Sequence, residues 1–160
     1  MAYFAAGERP TADKLNSLAK GRLRVLRTSA QSIVDSAVAK IEFDTVVKDD
    51  GGLWDDAAFE LVVPPGYAGW WMLTASVCYA GHITGRRACD IRTPGTRLVS
   101  ALQPTNPTAA DVRYTSSTLA ALAVGDRVYV EGFQTSGAAL NVQGSATNIT
   151  HFAACLLIPD

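Results

Sequence analysis

Two histidines, three cysteines, a run of aspartates, a run of arginines and three tryptophans are the residues of this chain best placed to do chemistry. His82 and His151 lie far apart, and neither has a partner at metal-ligand spacing. There is no H-x-x-x-H, no C-x-x-C and no H-E-x-x-H. Nucleophile signatures are missing too: no G-x-S-x-G elbow and no glycine loop built to cradle phosphate. No catalytic residue, metal or cofactor is therefore expected, and an enzyme is not.

The acidic group Asp44, Asp49, Asp50, Asp55 and Asp56 holds enough oxygens for a hard cation, but its spacing follows no EF-hand loop. Aspartate also bonds its own backbone and so forms turns, which is the expected role here. Arg22, Arg24 and Arg27 form the basic cluster, as either a solvated face or a grip on a partner's carboxylates. Trp70 and Trp71 read as packing residues, whereas Trp54, on an acidic turn, is the candidate for contact with an outside ligand. Cys78, Cys89 and Cys155 are odd in number and widely spaced, which suits reduced core thiols better than a disulfide framework.

The elements that must carry these residues change near residue 41. Before it, Pro10-Thr11 opens a short helix predicted over about 11–20, with Leu15 and Leu18 on one face and Gly21 as its stop. Ten residues of helix need a surface to lie against. An extended connector carrying the arginines follows, so residues 1–40 read as an arm and 41–160 as the folded domain. Strands are predicted at Lys40–Val47, Ala58–Val63, Trp70–Ala80, Arg86–Arg92, Arg97–Ala101, Val112–Leu122, Arg127–Gln134, Ala139–Gln143 and Ile149–Ile158. Turn signals such as Pro64-Pro65-Gly66 and Gly125-Asp126 separate them, and Gln103–Asp111 reads as an exposed loop. So many short strands without a second helix describe an all-β sandwich or barrel.

Two of these strands are apolar on both faces: Trp70–Ala80 and Ile149–Ile158. Antiparallel strands usually keep one polar face, so a second apolar face implies a neighbour beyond the domain's own core. The charged share of 18% is below the roughly 25% of an average domain, which agrees with surface being covered on assembly. A net charge of −1 provides no long-range field for nucleic acid or an acidic membrane. Neither is an expected partner. The N-terminus lacks a signal peptide's apolar core, and no run reaches the ~20 apolar residues of a membrane-spanning helix.

The order of motifs resembles a known family. Phe59-Glu-Leu-Val-Val-Pro64-Pro-Gly66-Tyr-Ala-Gly69-Trp-Trp71-Met-Leu73, then Leu122-Ala-Val-Gly125-Asp126-Arg-Val128, then His151-Phe152-Ala-Ala-Cys155-Leu156-Leu157 resemble successive strands of the C1q/tumour-necrosis-factor-like jelly roll. The resemblance spans about residues 41–160, without a collagen-like stalk. The opening Phe4-Ala-Ala-Gly7 through Thr11-Ala12-Asp-Lys-Leu15-Asn16-Ser-Leu18 is similar to the start of virion proteins of tailed bacteriophages.

Together these resemblances imply a homotrimeric jelly roll on a virion, assembled in the host cytoplasm. It would act as a capsid decoration or minor capsid protein bound to the major capsid protein or another virion protein. Phe4, Leu15, Leu18, Arg22, Arg24 and Arg27 would form the capsid-binding arm, and Trp70, Met72, Phe152 and Leu156 the trimer interface. The alternative is a tail-tip or fibre module binding a host receptor or glycan, with Trp54 and Asn106 on its recognition loops.

Overall fold

A computed structural model describes residues 9, 11, 20–104, 109–144 and 149–159. Among the described residues thirteen strands, numbered along the chain, make two antiparallel sheets. The first sheet holds β1 (Arg22–Arg27), β2 (Gln31–Ile33), β4 (Thr45–Asp49), β7 (Gly69–Tyr79), β10 (Val112–Leu122), β12 (Leu140–Val142) and β13 (Thr150–Pro159). The second holds β3 (Val38–Lys40), β5 (Trp54–Asp55), β6 (Glu60–Val62), β8 (Arg86–Thr93), β9 (Thr96–Pro104) and β11 (Arg127–Gln134). β7 is the spine of the first sheet. β10 pairs along its whole length on one flank, and β13 pairs on the other, followed by β1 and then β4.

The period-2 alternation of β7 decides where the core sits. Trp71, Leu73, Ala75, Val77 and Tyr79 are all fully buried between the sheets, while Trp70 and Met72 point outward. From the second sheet, Leu61, Cys89, Ile91, Val128 and Val130 close on them. Burying each large apolar side chain contributes roughly 1.5–3 kcal/mol, so this two-layer core is the main source of stability. Tyr79 also ties the layers by hydrogen bonds. Its hydroxyl donates to the Ala88 carbonyl (2.6 Å) on β8 and accepts the Phe133 N–H (3.0 Å) on β11. A side chain at Gly132 would put its Cβ 2.6 Å from that hydroxyl, which is why β11 carries a glycine in mid-strand.

Most predicted strands appear within a residue or two of their predicted ends, and the sandwich is all-β, as expected. Three expectations are corrected. First, the domain does not begin at residue 41. β1 lies between β13 and β4 in the first sheet, with Arg22 opposite Cys155, and Leu23, Val25 and Ile33 are core residues. Residues 22–40 are therefore part of the sandwich. Arg22-Leu23-Arg24-Val25 does alternate, but four residues are a weak signal until β13, from the far end of the chain, completes the sheet. Second, the strand expected over Lys40–Val47 is two strands in different sheets. The Ile41 N–H bonds Val130 in the second sheet and the Asp44 N–H bonds Leu26 in the first, so this segment crosses the sandwich edge. Third, Phe152 and Leu156 belong to the interior and are not an outward-facing interface. Phe152 is fully buried and stacks on Phe43 (6.3 Å between centroids), and Leu156 is 8% exposed. The helix predicted over 11–20, with Leu15 and Leu18, lies largely outside the described residues, as do Phe4 and Asn106.

Candidate interaction face

The outer face of the first sheet carries the chain's most unusual surface. Cross-strand register fixes its rows, because directly paired residues share a face. In one row Ala121 sits beside Trp70, and in the next Leu119 sits beside Met72, which in turn faces Cys155. Past Leu156 a register shift in β13 turns both Leu157 and Ile158 outward. The cause is local. A Cβ on Gly69 would lie 2.1 Å from the Ile158 carbonyl, and Gly69 has φ +145°, so only glycine lets the strands approach there. The result is an exposed apolar end: Trp70 48%, Met72 42%, Leu119 56%, Leu157 51% and Ile158 61%. A contiguous patch of large apolar side chains marks an interaction surface.

Moving along β7 the face becomes polar. Thr74 and Ser117 share a hydrogen bond (3.1 Å), and so do Ser76 and Thr115 (3.1 Å). Beyond these hydroxyls, basic groups run diagonally across the face. Arg24 on β1 faces Ala153 on one side and Lys48 on the other, His151 faces Ser76, and Arg113 faces Cys78. Ser76 and Cys78 are buried although they point outward, beneath these longer side chains. Burial lowers the pKa of His151 below the ordinary histidine value, and the positive charges of Arg24 and Arg113 lower it further. Its Nδ1 is buried without a hydrogen-bond partner among the described residues.

The remaining candidate residues have structural roles. Arg22 bonds Asp50 through two nitrogens (2.8 and 2.7 Å), and Lys48 takes the other Asp50 oxygen (2.6 Å). Arg27 is not an outstretched grip: its guanidinium donates to the carbonyls of Ser29, Ala30 and Glu42 and staples the turn after β1. Asp44 accepts both the backbone N–H and the hydroxyl of Thr28 and of Ser29. Burial opposes its charge, but these hydrogen bonds prevail and hold its pKa far below the usual carboxylate range. Asp49 and Asp55 likewise cap backbone N–H groups. Among the described residues no cluster of three or more His, Cys, Asp or Glu is placed to hold a metal ion. Within the acidic run Asp44, Asp49 and Asp55 hold loop backbone, while Asp50 pairs with Arg22 and Lys48.

Trp54 meets Phe43 edge-on (6.0 Å) and its indole N–H is buried, so the ring packs against the core margin. The sequence reading missed the polar cluster at one end of the sandwich interior. Arg87 and Gln134 are almost fully buried there, bonded to the carbonyls of Thr84, Ile33 and Ala138. Nothing in their spacing announced it, because Arg87 and Gln134 occupy inward strand positions that polar residues rarely take.

No family model and no curated protein sequence matches this chain. Solved structures do. The globular domain of zebrafish complement 1qA protein is similar over 88% of this chain and 100% of that chain, with a TM-score of 0.65 at 14% identity. Eiger TNF from S. frugiperda is similar over 87% and 93%, with a TM-score of 0.63 at 11% identity. Murine APRIL is similar over 83% and 95%, with a TM-score of 0.59 at 17% identity. The chain thus has a C1q/TNF-like jelly-roll fold. At these identities the likeness concerns the fold alone.

Proposed function

We propose that this chain is a virion structural protein of a tailed bacteriophage, a homotrimeric capsid decoration protein anchored by its N-terminal segment. The observation that carries self-assembly is the exposed apolar end of the first sheet, Trp70, Met72, Leu119, Leu157 and Ile158, on a fold whose family resemblance implies trimers. Covering that patch with the same patch of other copies removes it from water at roughly 25 cal/mol per Å². The virion assignment rests on the segment Phe4 to Leu18, which is similar to the opening of phage virion proteins. Since β1 begins at Arg22, the attachment segment shortens from residues 1–40 to about the first twenty. Such a segment would order on the capsid lattice, exchanging its conformational entropy for buried area.

Removing residues 1–19 leaves every described strand intact, so the truncated chain should remain a folded oligomer but lose capsid binding in a co-sedimentation assay. Undiminished co-sedimentation would refute the anchor. The receptor-binding alternative gains nothing from Trp54, whose ring is committed to Phe43.

A further inference from the structure

The outer face of the second sheet holds a small pocket with a buried carboxylate in its wall. Cys89 and Ile91 face the core, so alternation along β8 turns Ala88 and Asp90 outward. Register places Phe133 and Leu102 on either side of Ala88, with Val38 beyond Phe133. In the adjoining row Asp90 lies between Glu131 and Ser100. Ala88 and Asp90 are buried, whereas Val38 and Leu102 stand about half exposed around them. Together with Arg97 these side chains line a cavity of about 200 Å³. A single water needs only about 10–15 Å³, so the cavity has room for an aliphatic group.

Asp90 differs from the other carboxylates that are shared between cations. Asp50 holds Arg22 with one oxygen and Lys48 with the other, and Glu60 divides itself in the same way between Lys40 and Arg127. Asp90 is more deeply buried than either, yet only its Oδ2 is engaged, by Arg97 Nε at 2.8 Å. Its Oδ1 is buried without a hydrogen-bond partner among the described residues. Arg92, the next outward residue of β8, is drawn the other way, to Glu131 Oε2 (2.8 Å). A buried acceptor left unpaired is costly, and a charged donor satisfies a carboxylate best.

We propose that this pocket binds a primary ammonium carried on an aliphatic stem, with the nitrogen on Asp90 Oδ1 and the stem against Val38, Leu102 and Phe133. An ammonium has three donors, and the hydroxyl of Ser100, exposed opposite Asp90, offers it a second acceptor. Arg97 is the gate: its side chain is 54% exposed and swings outward to uncover Oδ1. The same chemistry belongs to a free alkylamine and to the lysine side chain of another protein, whose stem buries along apolar surface while its head stays polar. The site lies on the opposite sheet from the apolar patch and does not depend on self-assembly.

The test titrates the full chain with n-butylammonium chloride at constant pH and ionic strength, following backbone amide shifts by NMR. Saturable shifts should centre on β8 and β9 around Ala88, Asp90 and Leu102, with a millimolar Kd for so small a probe. n-Butanol, similar in length but neutral, should bind about tenfold more weakly, the difference a charged donor makes to a buried carboxylate. Asp90→Asn, close in shape, should weaken butylammonium binding by a similar factor. Arg97→Gln frees the second oxygen and removes the competing cation, so it should bind several-fold more tightly. Far-UV circular dichroism establishes that each variant is folded, and the butanol comparison uses the native chain whatever the variants do. A capped Gly-Lys-Gly peptide separates the two sources. Binding at least as tight as that of butylammonium assigns the pocket to a lysine side chain, and exclusion of the peptide assigns it to a free amine. The site is overturned by the absence of saturable shifts on β8 and β9 with either amine, by butanol binding as tightly as butylammonium, or by Asp90→Asn binding as tightly as wild type.

Discussion

The hydroxyl of Tyr79 makes a sharp test of how the two sheets are held together. It is fully buried, donates to Ala88 on β8 and accepts from Phe133 on β11, so Tyr79→Phe leaves a carbonyl and an N–H without this partner. A buried group stranded in this way costs about 1–3 kcal/mol, so for the two groups together a loss of at least about 2 kcal/mol is expected. For a chain of this size that corresponds to a melting temperature lower by about 4–8 °C. Gly132→Ala perturbs the same spot from the other side, placing a methyl 2.6 Å from the hydroxyl and 2.8 Å from the Ile33 Cδ1. Overpacking of this kind typically costs about 1–3 kcal/mol. In the double variant the methyl enters space that the hydroxyl has vacated. The two costs should then fall short of additivity by about 1 kcal/mol, well above the scatter for independent sites. Urea unfolding followed by fluorescence and circular dichroism gives all four corners of the cycle. Tyr79→Phe within about 0.5 kcal/mol of wild type, or strict additivity, would refute the idea that this hydroxyl is the tie.

Three further outcomes are expected. Leu119→Glu, at an exposed site, should change the unfolding free energy of the isolated chain by no more than about 0.5 kcal/mol yet dissociate the oligomer in light scattering; an unchanged mass argues against that face. His151 has its pKa lowered in the folded chain, so as pH falls through 6.5 the unfolded chain takes up this proton first and stability declines from there downward. His151→Gln should flatten the melting temperature between pH 7.5 and 5, and an unaltered slope would assign the effect elsewhere. Asp44→Ala removes a carboxylate holding Thr28 and Ser29 and should cost about 2–3 kcal/mol at neutral pH. Because the Asp44 pKa is depressed in the folded state, its contribution is present above 3.8 and lost as pH falls below it. Wild type and variant should therefore converge in acid titrations, and curves that stay parallel to pH 2 would rule this account out.

By itself, the sequence determined the class of fold and most of its strands. Period-2 alternation through Trp70–Ala80 and Val112–Leu122, with glycine, proline and aspartate turns between, is written locally and survives in the structure. It also marked β7 as apolar on both faces, the feature behind the interaction face. What it could not supply was anything that depends on residues distant in the chain. Arg22–Arg27 reads as a connector until β13 pairs with it, and Lys40–Val47 reads as one strand until Val130 and Leu26 draw its ends into different sheets. Phe152 and Leu157 are both apolar residues on the closing strand. Alternation sends them to opposite sides, Phe152 onto Phe43 and Leu157 into solvent, and only the register shift between Leu156 and Ile158 turns Ile158 outward too. Arg24, Arg113 and His151 come from three strands, and only pairing through β7 sets them on one face. Local pattern follows from each residue's own preference for extended backbone and burial. The choice of which apolar side is core and which is surface belongs to sheet register, which only the closed sandwich fixes.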